Sequence, residues 1–293
     1  MSSQSPQECK VISAGVDWIT ATSPTGTRAT LLGILARRWR DQHESEGNKV
    51  KAWGWEGYVG FTMDSISSGT RHDGTIVRLS GDYAQKRASQ VLALADNVSR
   101  LDLQVTIQEE NPCVNHATRA LAAARLDRRV KAGMTKTSLI TSTPDGITAY
   151  IGTRISQRFY RIYDKCAESG GAYPPGCWRY EAEYKGQRAI SVGARLQADK
   201  DHNEAVRGVV EQAFGDYGVE LPCSPLPRGW RDTSPRTETT DERRLRWLER
   251  CIAPCIGRMM ESFDRRTVLE ALGIMMEEPT STINVETGEV VQS

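Results

Sequence analysis

Three short stretches of this chain set reactive polar side chains two residues apart. Residues 100–107 read Arg-Leu-Asp-Leu-Gln-Val-Thr-Ile, residues 159–165 Phe-Tyr-Arg-Ile-Tyr-Asp-Lys, and residues 178–185 Trp-Arg-Tyr-Glu-Ala-Glu-Tyr-Lys. Side chains on a strand alternate between faces. Read as strands, the first puts Arg100, Asp102, Gln104 and Thr106 on one face, against Leu101, Leu103, Val105 and Ile107. The second groups Arg161, Tyr163 and Lys165, and the third Arg179, Glu181, Glu183 and Lys185. If the strands share a sheet, one face carries a tyrosine, three carboxylates and several cations. Phosphodiester cleavage by a tyrosine with a divalent metal needs those groups.

Tyr163 is the candidate nucleophile. A free phenol has a pKa near ~10 and attacks poorly at neutral pH. Arg161 and Lys165, expected on its face, would favour ionisation, hold the phosphate and stabilise a pentavalent transition state. Tyr160 and Tyr58 read as ordinary strand aromatics. Asp102, Glu181 and Glu183 are candidate metal ligands, and hard oxygen donors suit Mg²⁺ or Mn²⁺, which would polarise the scissile phosphate. Spacing alone leaves a second reading equally open, in which Arg100 and Arg179 neutralise these acids as cross-strand pairs. Asp17 and Asp164 are further acids, but alternation puts Asp164 on the face opposite Tyr163.

Other chemistries find less support. The four histidines, His43, His72, His116 and His202, show no H-x-H or H-x-x-x-H spacing. This argues against histidine-metal tyrosine endonucleases and zinc proteases. Neither a phosphate-cradling G-x-x-x-x-G-K-[ST] loop nor a G-x-S-x-G elbow occurs.

The elements that must position these residues read as an α+β fold, a mostly antiparallel central sheet flanked by helices, with a C-terminal helical extension. Strands are expected over 11–22, 50–62, 75–80, 100–107, 158–165 and 178–185, with a hairpin over 137–152 turning at Pro144-Asp145-Gly146. Helices are expected over 27–43, 83–98, 112–132 and 202–214. Four prolines fall within 221–238. The chain therefore divides into a domain carrying the candidate catalytic residues (1–220), a linker (221–239), a helical region (240–276) and an acidic tail (277–293) expected to be disordered.

The formal net charge of the 293 residues is +1, so the molecule is not a polycation. Local stripes matter more for a polyanionic partner. Arg128 and Arg129 in the helix 112–132, and Arg243 and Arg244 in the C-terminal region, are candidate DNA contacts, although a solvated helix face fits charge alone slightly better. The seven cysteines include no C-x-x-C pair, and a disulfide framework is not expected. Cys251 and Cys255, one helical turn apart, read better as packed thiols than as a metal pair. No apolar run reaches the roughly 18–20 residues that span a bilayer. With no basic-then-apolar leader, a cytoplasmic location without membrane contact is expected.

At the three strands the chain resembles the replication initiation factor family, the rolling-circle initiators of certain plasmids and filamentous phages. The resemblance rests on Val16-Asp17-Trp18, Ser80-Gly81, Arg100-Leu101-Asp102, the Gly152, Arg154, Ser156 run, Arg161-Ile162-Tyr163-Asp164-Lys165 and Arg179-Tyr180-Glu181, in order over residues 11–190. It implies a metal-dependent nicking-closing endonuclease in which Tyr163 attacks an origin phosphate, keeps the 5′ end as a phosphotyrosyl ester and later rejoins the ends. Asp102 and Glu181 match acidic positions linked to the metal, and Arg100, Arg154 and Arg179 would meet DNA. Thr106 stands where family members often carry a second acid; either Glu183 substitutes for it or the metal site has fewer protein ligands. The partners implied are origin DNA in double- and single-stranded form, a host helicase and a DNA polymerase. A homodimer would let a second tyrosine resolve the finishing strand. The alternative is a non-catalytic, sequence-specific DNA-binding regulator of a phage or plasmid. A tyrosine recombinase ranks lower, because its tyrosine belongs on a C-terminal helix.

Overall fold

The computed structural model of the chain describes residues 9–42, 59–62, 65–110, 114–142, 146–199, 201–223, 245, 248, 252–271, 281–283 and 290–292. The chain forms two compact units, Met1–Pro235 and Arg236–Ser293. Their boundary falls inside the proline-bearing stretch read as a linker.

The first unit is built on a nine-stranded sheet. Its strands are β1 (Cys9–Ser23), β2 (Val59–Thr62), β3 (Ile66–Arg71), β4 (Gly74–Ser80), β5 (Asn97–Glu109), β6 (Thr137–Ser142), β7 (Gly146–Gly152), β8 (Arg158–Asp164) and β9 (Cys177–Lys185). They lie in the order β2-β3-β4-β1-β5-β9-β8-β7-β6, every neighbouring pair antiparallel. With its helices this is the α+β fold expected. β3 goes beyond the strands foreseen; of the expected strand 50–62, residues 59–62 form β2 and 50–58 lie outside the described residues.

The helices of this unit are α1 (Thr27–Asp41), α2 (Gly81–Leu94), α3 (His116–Ala124), α4 (Arg128–Lys131), α5 (Lys165–Glu168), α6 (Gln187–Ala198) and α7 (His202–Gly215). α1, α2, α3, α6 and α7 pack on the sheet's apolar face. Leu101, Leu103, Val105 and Ile107 of β5 are fully buried there. Tyr160 of β8 and Tyr180 of β9 meet Phe214 of α7 with ring centroids 5.5 and 5.2 Å apart. Such buried aromatics contribute large apolar area together with edge-to-face attraction.

Two expected elements differ. The helix foreseen over 112–132 is two pieces, because Asp127 caps a new start by accepting from the Arg129 backbone N–H at 2.7 Å. An Asp there favours the cap over helix continuation. Lys165 does not extend β8. Asp164 caps α5 by accepting from the Ala167 N–H at 3.0 Å, so the strand ends before Lys165.

The start of β9 depends on Gly176, whose φ is +80° and whose carbonyl accepts from the Glu109 N–H at 3.0 Å. A Cβ there would stand 2.3 Å from the Glu109 carbonyl oxygen. Gly176→Ala is therefore expected to cost on the order of 2 kcal/mol or more, from left-handed strain and overlap together. A denaturant midpoint unchanged from the parent would contradict this.

Cys9 and Cys223 form a disulfide, with Cα atoms 5.4 Å apart, which corrects the expectation of unpaired thiols. The fold brings the first strand beside the turn that follows α7, a proximity that spacing cannot show. In the second unit, α8 (Ala253–Ser262) and α9 (Arg265–Ala271) fall within the expected helical region. The tail is not wholly without structure. β10 (Ser281–Ile283) pairs antiparallel with β11 (Val290–Gln292), where β-branched Thr282, Ile283, Val290 and Val291 favour extended backbone. Cys251, Arg243 and Arg244 lie outside the described residues, and nothing is described of the Cys255 side chain. Among the described residues no helix is long and apolar enough to cross a membrane.

Candidate active site

Strand register assembles the polar face. Residues directly opposite one another in a ladder share a face, and successive rows on that face stand roughly 7 Å apart. One row runs Trp18, Asp102, Glu183, Phe159 across β1, β5, β9 and β8. The next runs Gly15, Gln104, Glu181, Arg161, and the third Ser13, Thr106, Arg179, Tyr163. Alternation thus places Tyr163 on the same face as Asp102, Glu181 and Glu183, one row from Glu181 and two from the other acids.

All three carboxylates are buried, Asp102 1 %, Glu181 2 % and Glu183 3 % exposed. Each is held by a cation. Arg100 donates to both oxygens of Asp102 at 2.9 and 2.7 Å and reaches Glu183 at 3.2 Å. Lys185 pairs with Glu183 at 2.5 Å. Arg161 pairs with Glu181 and stands 3.8 Å from Asp102. Three acids are therefore balanced by three cations. The cross-strand neutralisation left open by spacing is present, though Arg161 and Lys185 share it with Arg100, and Arg179 serves elsewhere.

Arg179 is 5 % exposed and faces Tyr163 across the ladder. It donates to Thr106 Oγ1 at 2.9 Å, to the Tyr173 hydroxyl at 3.3 Å and to Asp17 at 3.4 Å. Asp17 is the extra residue where the β1–β5 register shifts between Val16 and Trp18, a bulge that re-aims its side chain. Trp18, next to it, has the guanidinium carbons of Arg100 and Arg78 at 4.7 and 5.2 Å from its ring centroid. The Val-Asp-Trp motif thus delivers an acid to Arg179 and an aromatic surface beside Arg100.

Tyr163 is 9 % exposed. Burial, then the Glu181 carboxylate, push its phenol above the ordinary range, while Arg179 pulls it back. The cations therefore do not hold it ionised in the resting site, contrary to the expectation from sequence. Lys165, from the first turn of α5, has Nζ 5.8 Å from the Tyr163 ring centroid and 5.4 Å from that of Tyr173, and bonds Glu168 at 2.5 Å. It reaches the tyrosine from the strand's end rather than along its face.

Glu181 is pushed up to about 7, by burial first, with Asp17 and Asp102 adding and Arg161 opposing. Burial likewise raises Asp102 against the pull of Arg100. Between the ordinary value of 4.5 and about 7 the folded state binds the extra proton, so this group's contribution falls as pH rises through that window. Glu181→Gln is expected to flatten the decline between about pH 4.5 and 7 relative to the parent, read from urea midpoints in chelator. Parallel profiles for the two proteins would refute this.

The remaining expected DNA contacts separate. Arg154 is exposed in the β7–β8 turn, 5.7 Å from the Phe159 ring centroid on the polar face. Arg129 is used inside the fold, paired with Asp127 at 2.9 Å and 4.0 Å from the centroid of Tyr217, which packs on Tyr160 beneath the helices. Arg128 is exposed near it, so these two are not brought to the tyrosine. Sequence reasoning missed Tyr173, whose hydroxyl bonds Arg179. It sits in a Gly/Pro loop without periodicity.

Hard oxygen donors suited to Mg²⁺ or Mn²⁺ are thus concentrated in Asp102, Glu181 and Glu183, with Asp102 and Glu183 directly opposite each other. Among the described residues no group of three or more His, Cys, Asp or Glu side chains is arranged to hold a metal ion as it stands. The donor chemistry fits such an ion. Their oxygens are engaged by Arg100, Arg161 and Lys185, so binding would be an exchange of cations.

Fold and site together define an α+β domain with a helix-covered apolar face and a polar face of tyrosine, acids and cations. The sequence pattern of the replication initiation factor family matches residues 96–217, the stretch that carries β5, β8 and β9. The motifs from Arg100 to Glu181 fall within that stretch, and Val16-Asp17-Trp18 and Ser80-Gly81 lie before it. No curated protein matches. Among solved structures, a rolling circle replication initiator protein from Geobacillus stearothermophilus aligns over 69 % of this chain and 84 % of its own, with 16 % identity and a TM-score of 0.40.

Proposed function

We propose that this chain initiates rolling-circle DNA replication by nicking one strand at an origin and later rejoining it. The observation that carries this reading is the register placing Tyr163 opposite Arg179 and one row from the Glu181–Arg161 pair, on the face that also holds Asp102 and Glu183. The Tyr163 oxygen attacks the scissile phosphorus, the 3′-oxygen leaves, and the 5′ phosphate stays on the phenol as an ester. Attack by a 3′-hydroxyl on that ester reverses the step and restores the tyrosine. Arg179 and Arg161 flank the phosphorus position and stabilise charge on its non-bridging oxygens. Lys165 supplies further positive charge beside the ring. Asp102, Glu181 and Glu183 would hold Mg²⁺ or Mn²⁺. The bound ion would polarise the phosphate and offset the carboxylate charge that, after burial, keeps the phenol protonated.

Origin DNA would meet Arg100, Arg154 and Arg179 on this face, with Arg128, Arg243 and Arg244 as contacts elsewhere on the chain, while Arg129 stays with Asp127 and Tyr217. The freed 3′-hydroxyl would prime a host polymerase behind a host helicase, and a second copy of the chain would supply the tyrosine for termination. The ion-paired acids favour one other reading, a DNA-binding regulator in which the ladder is only structural. Supercoiled origin plasmid with Mg²⁺ or Mn²⁺ separates the two. The initiator yields open circles with protein attached, and chelator stops it. The regulator binds the same DNA and leaves it supercoiled.

A further inference from the structure

On the helix-covered side of the sheet, away from Tyr163, a cavity of about 460 Å³ is lined by Cys9, Glu109, His116, Arg119, Tyr180 and Cys223 among others. Glu109 and His116 are 5 % and 3 % exposed, yet Glu109 Oε1 and His116 Nε2 have no hydrogen-bond partner. Buried polar atoms are rarely left so. His116 Nε2 stands 3.5 Å from Glu109 Oε2. Two ligands each about 2.0–2.1 Å from one tetrahedral ion stand about 3.3 Å apart. Glu109, through Oε2, and His116, through Nε2, are therefore spaced as two ligands of a common ion as well as an ion pair, and Glu109 Oε1 is left without a partner.

Two sulfurs complete the set. Cys9 lies directly opposite Glu109 in the β1–β5 ladder, so its side chain leaves the same face. Cys223, with its Cα 5.4 Å from that of Cys9, is the one non-glycine residue with positive φ among those described, at +64°. L-residues adopt that conformation at a cost, and it recurs where a side chain must be aimed. We infer that Cys9, Cys223, His116 and Glu109 form a closed tetrahedral site for a thiophilic divalent ion of the zinc class when the disulfide is reduced.

Closed in the disulfide, the two sulfurs are not available, and Glu109 and His116 remain as a pair. A dithiol reductant delivers two electrons and two protons to the S–S bond and itself becomes a disulfide. The ion then takes two thiolates, releasing the two thiol protons. The Tyr180 hydroxyl lies 2.9 Å from His116 Nδ1; in the tautomer with its proton on Nδ1, donated to that hydroxyl, the Nε2 lone pair faces the cavity. Two thiolates, a carboxylate and a divalent ion sum to −1, which Arg119 in the lining offsets; Glu220 also lines the cavity. With no open position, the site is structural and fastens the turn after α7 to β1. It does not depend on the nicking reading.

Cobalt(II) added anaerobically to the full chain, metal-free and reduced, tests this. One equivalent is expected to give thiolate-to-cobalt charge transfer and the intense visible bands of a tetrahedral site, and zinc should abolish both. The oxidised chain and the Cys9→Ser/Cys223→Ser pair should show neither. Glu109→Gln keeps both sulfurs and should weaken the ion at least tenfold while charge transfer persists. Absence of cobalt bands in the reduced parent overturns the site. So do bands that survive in the double serine variant, or X-ray absorption showing other than two sulfur neighbours.

Discussion

Tyr163→Phe is expected to abolish covalent attachment to origin DNA and to lower nicking by at least about a thousandfold, since removal of a nucleophile leaves only binding and electrostatic contributions. The variant keeps the ring that packs beside Lys165 and loses only the oxygen. Stability should therefore change by less than about 1.5 kcal/mol, the net worth of a typical hydrogen bond. Origin affinity should stay within about twofold, because phosphate contacts by cations dominate it. Gel shift and adduct assays on one preparation check both halves. Nicking that persists in the variant would mean that water, or another side chain, attacks.

Arg161→Ala is expected to cost about 3–5 kcal/mol of stability near pH 8. Glu181, 2 % exposed, would remain charged in the sheet without its guanidinium, and breaking one half of a buried pair carries a penalty of that size. The Arg161 side chain is 21 % exposed, which favours the lower end. Near pH 5 the cost should shrink, because Glu181 then holds a proton in the folded state. Adding Glu181→Leu should recover part of the loss, a coupling that a double-mutant cycle measures. A loss below about 1 kcal/mol at pH 8 would place the pair with exposed surface bridges, and the acids would then be open to solvent or to a metal without exchange.

Alternation carried the core of the site. β5 and β9 are long, and over 101–107 and 178–184 their helix-facing residues are Leu, Val, Ile, Ala and aromatic, so a period of two fixes which residues face the helices. Tyr163, Arg161, Asp102, Glu181 and Glu183 follow from it. Lys165 did not, because one capping contact by Asp164 ends β8 a residue early. The α6 stretch 187–198 was not foreseen as a helix. Its buried stripe is Ala189, Val192, Gly193 and Leu196, where small residues let the helix approach closely. A Cβ on Gly193 would sit 3.1 Å from Leu92. β3, Ile66–Arg71, buries Ser67 and Ser68 and so lacks an apolar alternation. Asp17 reaches Arg179 only through a bulge. The Cys9, Cys223, His116 and Glu109 cluster joins elements up to 214 residues apart, so no local spacing could announce it.

The central claim is that the Tyr163 phenol carries the DNA. Origin DNA incubated with the chain and Mn²⁺, digested with nuclease and protease and mapped by mass spectrometry, tests it most directly. The account predicts a nucleotide 5′-phosphate on the peptide containing Tyr163, with fragment ions placing the added mass on that residue. A phosphorylated adduct on Tyr173, Tyr150 or any other residue, or nicked DNA with no adduct at all, would contradict it.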